Sequence, residues 1–400
     1  MGESRFASLR RVAALPRELR PLYAGTVVTR LGTFVVPYLT LYLSGDRGLS
    51  LGVTGRVVAA GGAGLFAGNL AGGWLCDRIG RKPTILLALV LNAVGLAVLA
   101  GERSTATGYA GALAFASLGA GMYPPAASAW IADVTRGAQR QLAYTANYVC
   151  INVGMGLGPL LGGLLAAASY RWLFVGDIAS TLVCAVLIAR ASGGHRRTAD
   201  PEQTAPPLVL DRSTLGVLAF CCTSFFLIAP LMGMEYTVPL LVGTVLHEPL
   251  VLVGIVYTIN AACILLLGLP IERRLAGRDA ARMMVLAAGL WSAGLAIIAA
   301  GLSAVALLLG TVVWTVGEMI GSVVVPTYVA NNVPEHARGR LLAVPDAMRS
   351  LAAVLAPIAL GMVWDAHGVQ WVLWILVATP LLGAALYGAG SLATNGRRTR

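Results

Sequence analysis

Three ionisable side chains stand inside long apolar runs, where each costs a few kcal/mol and is therefore a functional candidate. Glu318, in Trp314-Thr-Val-Gly317-Glu318, lies near the middle of a run over 304 to 329. Glu235, in Met234-Glu235-Tyr236-Thr-Val-Pro239, lies towards the far end of a run over 214 to 243. A carboxyl in apolar surroundings favours its neutral form, so either residue could take up a proton near neutral pH and release it when its surroundings change. Ionised, either attracts a cation. Arg30 sits eight residues into a third run, about 12 Å along a helix, too deep for simple snorkelling. It calls for a partner inside the fold; a structural or gating ion pair is expected, with an anionic substrate as the alternative. Aromatic residues near these groups, Phe34, Tyr38, Tyr236 and Trp314, are candidates to stack on a planar or cationic ligand. Covalent chemistry finds no support: there is no metal-ligand spacing, nucleophile elbow or phosphate loop, so no enzyme and no metal are expected.

The elements that must position these groups follow from composition. Hydrophobic residues make up 57% of the 400 and charged residues 12%, which excludes a water-soluble fold. Breaking the chain at Gly, Pro and charge clusters gives twelve runs: 22–43, 54–75, 83–101, 108–131, 143–168, 171–190, 214–243, 250–271, 281–301, 304–329, 343–364 and 369–390. Runs of about 20 apolar residues span a bilayer, and only a helix satisfies its own backbone there. The expected fold is an all-α membrane protein of twelve transmembrane helices in two pseudo-symmetric six-helix bundles. The first bundle covers 1–190 and the second 214–400, joined by a polar linker over 191–213 that is rich in Pro, Thr and charge. Six cysteines lie in or beside the apolar runs and read as small hydrophobes.

Charge placement sets the orientation. Twenty-three Arg and Lys residues fall in segments on the N-terminal side of the membrane, against four on the other side: Arg47, Arg56, Arg103 and Arg171. Both termini are therefore expected in the cytoplasm. The net charge of +11 is spread over short inter-helix segments, with no basic soluble domain, so no nucleic-acid partner is expected. The halves echo each other: Gly73 precedes Asp77-Arg78 by four residues after the second run, and Gly268 precedes Glu272-Arg273 likewise after the eighth. Repeated halves mark secondary transporters.

The loop after the second run reads Gly73-Trp-Leu-Cys-Asp77-Arg78-Ile-Gly80-Arg81-Lys82. It resembles the signature loop of the major facilitator superfamily, G-x-x-x-D-R-x-G-R-K, at every defining position. The expectation is close packing at Gly73 with an electrostatic latch, Asp77 lying against the positive end of a helix in the other half. The resemblance implies that this helix is the eleventh, that Arg81 pairs with Asp133, and that breaking the set opens the cytoplasmic side. Asp346 and Arg349, one turn apart at the start of the eleventh run, are expected to satisfy each other and are assigned to that gate. The fifth run carries Gly154-x-x-x-Gly158-Pro159-x-x-Gly162-Gly163, similar to the motif of the drug and proton antiporter branch. Small residues every fourth position make a flat face and Pro159 removes a backbone hydrogen bond, so a hinge and a tight seam are expected there.

The resemblance implies that runs 1, 4, 7 and 10 line the cavity and that the protein exports drugs, antibiotics or other lipophilic and cationic small molecules in exchange for protons across a bacterial cytoplasmic membrane. It would act as a monomer without a cofactor, the proton gradient supplying the energy. The branch carries an Arg in the fourth run where this chain has Phe115, which leaves Arg30 as the stand-in cation. The alternatives are an importer, uniporter or metabolite exporter without proton coupling, and a non-transporting sensor that keeps the fold. Asp177, in the sixth run, reads as a solvated partner of Arg171.

Overall fold

A computed structural model describes residues 15–101, 105–192, 212–275, 277–333 and 335–398, and they are almost wholly helical. Most of the linker proposed over 191–213 lies outside the described residues, as do Arg103 and the side chains of Arg273, Arg338 and Arg340. Helix α1 is an interrupted run over Arg17–Asp46, followed by α2 Leu51–Ile79. Then come α3 Arg81–Ala100, α4 Ala106–Val134, α5 Gly137–Ala168 and α6 Tyr170–Arg190. Helix α7 is made of Arg212–Thr223 and Phe225–Leu240 with a closing turn Leu241–Val245. The last five are α8 Val251–Leu275, α9 Ala280–Gly301, α10 Ala304–Asn332, α11 Glu335–His367 and α12 Val369–Arg398. Among the described residues, eleven of these are long and apolar enough to cross a membrane. Helix α4 has the length, but its Gly, Ser, Tyr and paired Pro residues lower its hydropathy.

Local chemistry sets the helix starts. Thr105, Asp279 and Ser303 each accept a hydrogen bond from the backbone N–H three residues on, satisfying a donor that the helix itself cannot. Internal prolines, such as Pro159 in α5 and Pro326 in α10, interrupt hydrogen bonding without ending the helix, as membrane helices tolerate.

By contact the chain divides into two compact units, Met1–Leu39 with Ala60–Pro201, and Thr40–Ala59 with Glu202–Arg400. Each half repeats one packing order. Helix α1 packs on α5 and α6, and α3 on α4 and α6; in the same way α7 packs on α11 and α12, and α9 on α10 and α12. In the first unit α2 and α4 approach through glycine. A Cβ at Gly64, Gly68 or Gly72 would strike α4 backbone at Ala114, Leu118 or Met122. This is the flat small-residue seam of membrane helix packing. Gly73, expected to make that approach, has nothing within 4 Å of its Cβ position. The seam follows the four-residue spacing of Gly64, Gly68 and Gly72, which leaves Gly73 on another face.

Two corresponding helices end alike. In α1, Arg47 N–H donates to Tyr42 O and Leu49 N–H to Leu43 O; in α7, Leu246 N–H donates to Leu241 O and Glu248 N–H to Val242 O. Both are π turns closed by a residue at positive φ, Gly48 at 66° and His247 at 53°.

Candidate functional site

Helix α1 is not continuous. Its first segment, Arg20–Leu31, stops at Gly32, whose Cβ would collide with the Ser180 side chain of α6, and the backbone re-enters helix at Val36. Asp177 of α6 occupies the break: its carboxylate accepts from the Val35 N–H at 3.3 Å. Asp177 is 7% exposed, so it is not the solvated partner of Arg171; it satisfies backbone freed by the interruption. Arg30 stands in the last turn before the break. Its backbone lies against α5, where a Cβ at Gly154 would meet Arg30 Cβ and one at Gly158 the carbonyls of Arg30 and Leu31. The same face continues to Gly162, against the Tyr38 ring, and Tyr38 Oη donates to Pro159 O. Helix α5 runs unbroken through Pro159 and the buried Gly163, so the glycine string forms the α1–α5 seam. The expected ion pair of Arg30 is absent among the described residues; the Tyr123 phenol is in electrostatic reach of it.

The second unit carries the carboxylates. Glu318 of α10 accepts a 2.8 Å hydrogen bond from Asn260 Nδ2 of α8, and the same amide donates to Thr315 Oγ1 at 3.0 Å. Thr315 in turn donates to Thr311 O. Glu235 of α7 is in electrostatic reach of Glu318 and of Arg349 from α11, and Arg349 also acts on Glu318. Both carboxylates are partly buried, and among the described residues no cation lies within ion-pair distance of either. Arg349 thus acts electrostatically on the carboxylates of α7 and α10 as well as on its neighbour Asp346. Among the described residues Asp346 and Arg349 form no ion pair, and Asp346 is exposed. Asn260 was readable as a polar residue inside an apolar run but carries no motif. The cluster offers a carboxyl held by one neutral donor, without a salt bridge to fix its charge.

The aromatics expected near a ligand are packed away. Tyr38 and Tyr236 are 0% and 1% exposed, with Tyr236 Oη donating to Leu51 O at 2.7 Å. Trp314 stacks on Trp291 at 4.6 Å between centroids, and Phe34 lies over Gly176. A sequence does not tell which face of a helix its ring occupies.

At the other end of the first unit, Arg81 joins two acids. Its Nε lies 2.9 Å from Asp133 Oδ2 and its Nη1 3.4 Å from Asp77 Oδ1, while Nη1 also donates to Cys76 O at 2.8 Å. The Asp77 side chain is 81% exposed. Arg78 lies over the Trp74 ring at 4.1 Å. Lys82, the sole lysine, donates to Ala189 O and Ala191 O, each at 2.8 Å, placing its charge on the negative end of α6. Gly80 has φ 94° and ψ 168°, a conformation that an L side chain avoids. Gly80→Ala is therefore expected to cost about 1–2 kcal/mol, read as a lower melting temperature in detergent. Gly73→Ala, meeting nothing, should leave that temperature unchanged or raise it; an equal fall in both variants would restore close packing at Gly73.

Residues 22–357 match the sequence model of the Major Facilitator Superfamily. The chain is 24% identical to the uncharacterized MFS-type transporter YttB of Bacillus subtilis, over 93% of this chain and 94% of that one. A shorter stretch of 164 residues, 40% of each chain, is 31% identical to the quinolone resistance protein NorA of Staphylococcus aureus. Among solved structures, the nucleoside transporter NupG has a TM-score of 0.79 at 16% identity, covering 93% of this chain and 99% of that one. The POT family transporter PepTSo has a TM-score of 0.78 at 16% identity, covering 94% and 98%. These likenesses show the fold.

Proposed function

Because the chain belongs to the Major Facilitator Superfamily, and so is a multi-pass secondary transporter and not an enzyme, we propose that it exports amphipathic small organic molecules in exchange for protons at Glu318. The observation that carries this reading is the Glu318 carboxyl, held by the Asn260 amide in the interior of α10 with no cation in ion-pair contact among the described residues. Such a group can be neutral or charged as its surroundings change. Ionised, it holds a cationic substrate; protonated, it lets go. Glu235 supplies a second carboxylate on the neighbouring α7, and Arg349 limits how much negative charge the pair accumulates. Similarity to a quinolone resistance protein over part of the chain supports a drug-like substrate class.

The surplus of Arg and Lys on the Asp77 side supports a cytoplasmic location for that face and for both termini. Asp77, Arg81 and Asp133 then form the gate on the cytoplasmic side, where Arg81 ties two helices of the first unit. Export would proceed by alternating access, one proton-binding event resetting the carboxylate for each substrate released.

The test uses everted membrane vesicles acidified by respiration, with a pH-sensitive dye inside. Addition of ethidium, a lipophilic planar cation, should dissipate part of the proton gradient in vesicles carrying the protein and not in controls. Ethidium movement without any change in the gradient would leave a uniporter and remove proton exchange.

A further inference from the structure

We propose that Arg30 anchors an anion-binding subsite in the first unit that takes a carboxylate carried by the substrate. The assignment of that ligand as substrate rests on the transport reading above, while the subsite itself rests on geometry. An arginine inside an apolar bundle is expensive, and a buried charge is normally paired. Arg30 is partly buried, and among the described residues its guanidinium makes no hydrogen bond and no ion pair. Each of its nitrogens keeps some accessible surface.

The described acids of the unit are engaged or distant. Asp77 and Asp133 meet Arg81, Asp177 holds the Val35 N–H, and Glu18 lies twelve residues away at the start of α1.

One neighbouring polar group, the Asn147 amide, keeps free donors. Tyr123 of α4 is in electrostatic reach of Arg30 and shares a 3.0 Å hydrogen bond with Thr26, one turn before Arg30 on α1. Thr26 donates to Asn147 Oδ1 of α5 at 3.4 Å, which leaves the Asn147 amide N–H groups without a protein acceptor among the described residues. The Tyr123 phenol spends its proton on Thr26, so a cation on α1 and a free amide on α5 are the groups able to receive an anion. The guanidinium is planar and forked, which suits the two oxygens of a carboxylate. Its backbone is fixed between the α5 glycines on one side and the break pinned by Asp177 on the other, so little ordering remains to oppose binding.

The full chain, purified in a neutral detergent without anionic lipid, is titrated with 2-naphthoate, with its uncharged methyl ester, and with ethidium, following tryptophan fluorescence. Wild type should bind the carboxylate about tenfold to a hundredfold more tightly than the ester, the factor for a charge-assisted hydrogen bond. Arg30→Gln should erase that preference and Arg30→Lys restore part of it, with ethidium binding kept in both. Equal binding of acid and ester by wild type, or an undiminished preference in Arg30→Gln, overturns the subsite. Should Arg30→Gln not fold, Asn147→Ala takes its place, with a reduced acid preference expected and an unchanged one counting against the subsite. Acid preference retained in a protein that moves no protons with ethidium supports the subsite and removes the proton-exchange reading. Loss of naphthoate binding in phosphatidylglycerol nanodiscs, but not in phosphatidylcholine ones, makes the occupant a lipid headgroup and overturns the substrate assignment.

Discussion

Glu318→Gln is expected to abolish substrate-driven proton release while leaving the protein folded. In wild type, ethidium added to weakly buffered detergent-solubilised protein should lower the pH, because the cation displaces a proton from the carboxyl. Glutamine keeps the shape and still meets the Asn260 amide, but it carries no exchangeable proton. The melting temperature should hold or rise, since a neutral side chain costs less in an apolar bundle than a carboxylate. Asn260→Ala should behave differently: the carboxyl survives without its donor, a loss of about 1.5–3 kcal/mol for a hydrogen bond to a charged group. Proton release should then persist but require a higher pH, because the ionised form has lost support. If Glu318→Gln releases protons like wild type and Glu235→Gln does not, the exchange site moves to α7.

A second large effect is expected where the start of α2 meets α11 within the second unit. Asp365 of α11 accepts from the Leu51 N–H at 3.0 Å and from the Gly52 N–H at 2.7 Å, the free donors at the start of α2. A Cβ at Gly55 would collide with Pro357 O, and Gly361 lies equally close to Leu51 O. An acid on a helix N-terminus contributes about 1–2 kcal/mol, so Asp365→Ala should favour separation of these helices by about 5- to 30-fold. Gly55→Leu should act more strongly, because backbone cannot yield to the new side chain. Thr54, 0% exposed beside this contact, provides the reporter. In a background lacking Cys150, Cys222 and Cys263, Thr54→Cys should react slowly with a membrane-impermeant maleimide, and much faster once Asp365→Ala or Gly55→Leu is added. Unchanged labelling would mean that the α2–α11 contact does not govern opening at this face.

Much of this architecture could be read from local signals. The runs beginning at 108, 281 and 304 start within two residues of their helices, where Thr105, Asp279 and Ser303 cap, whereas α11 begins eight residues before its run and α12 continues eight residues past its own. The α1–α5 seam could be read from the spacing of Gly154, Gly158 and Gly162. What escaped depends on contacts distant in sequence. The break in α1 is imposed by Ser180 and Asp177 of α6, which no pattern in 22–43 announces. Arg349 looks like a one-turn partner of Asp346 until α7 and α10 come alongside. The choice of Gly72 over Gly73 as the packing residue depends on which face α4 presents. The burial of Phe34, Tyr38, Tyr236 and Trp314 likewise follows from helix rotation, which composition does not encode.

The matched π turns at the ends of α1 and α7 also give the two halves a common point from which to number. Counting back from Tyr42 and Leu241, Arg30 falls opposite Ala229, and Glu235 opposite Val36. Neither charge has a twin. The repeat shared by the halves thus describes their shape and does not extend to these charges: Arg30 stands in one half and Glu235 in the other.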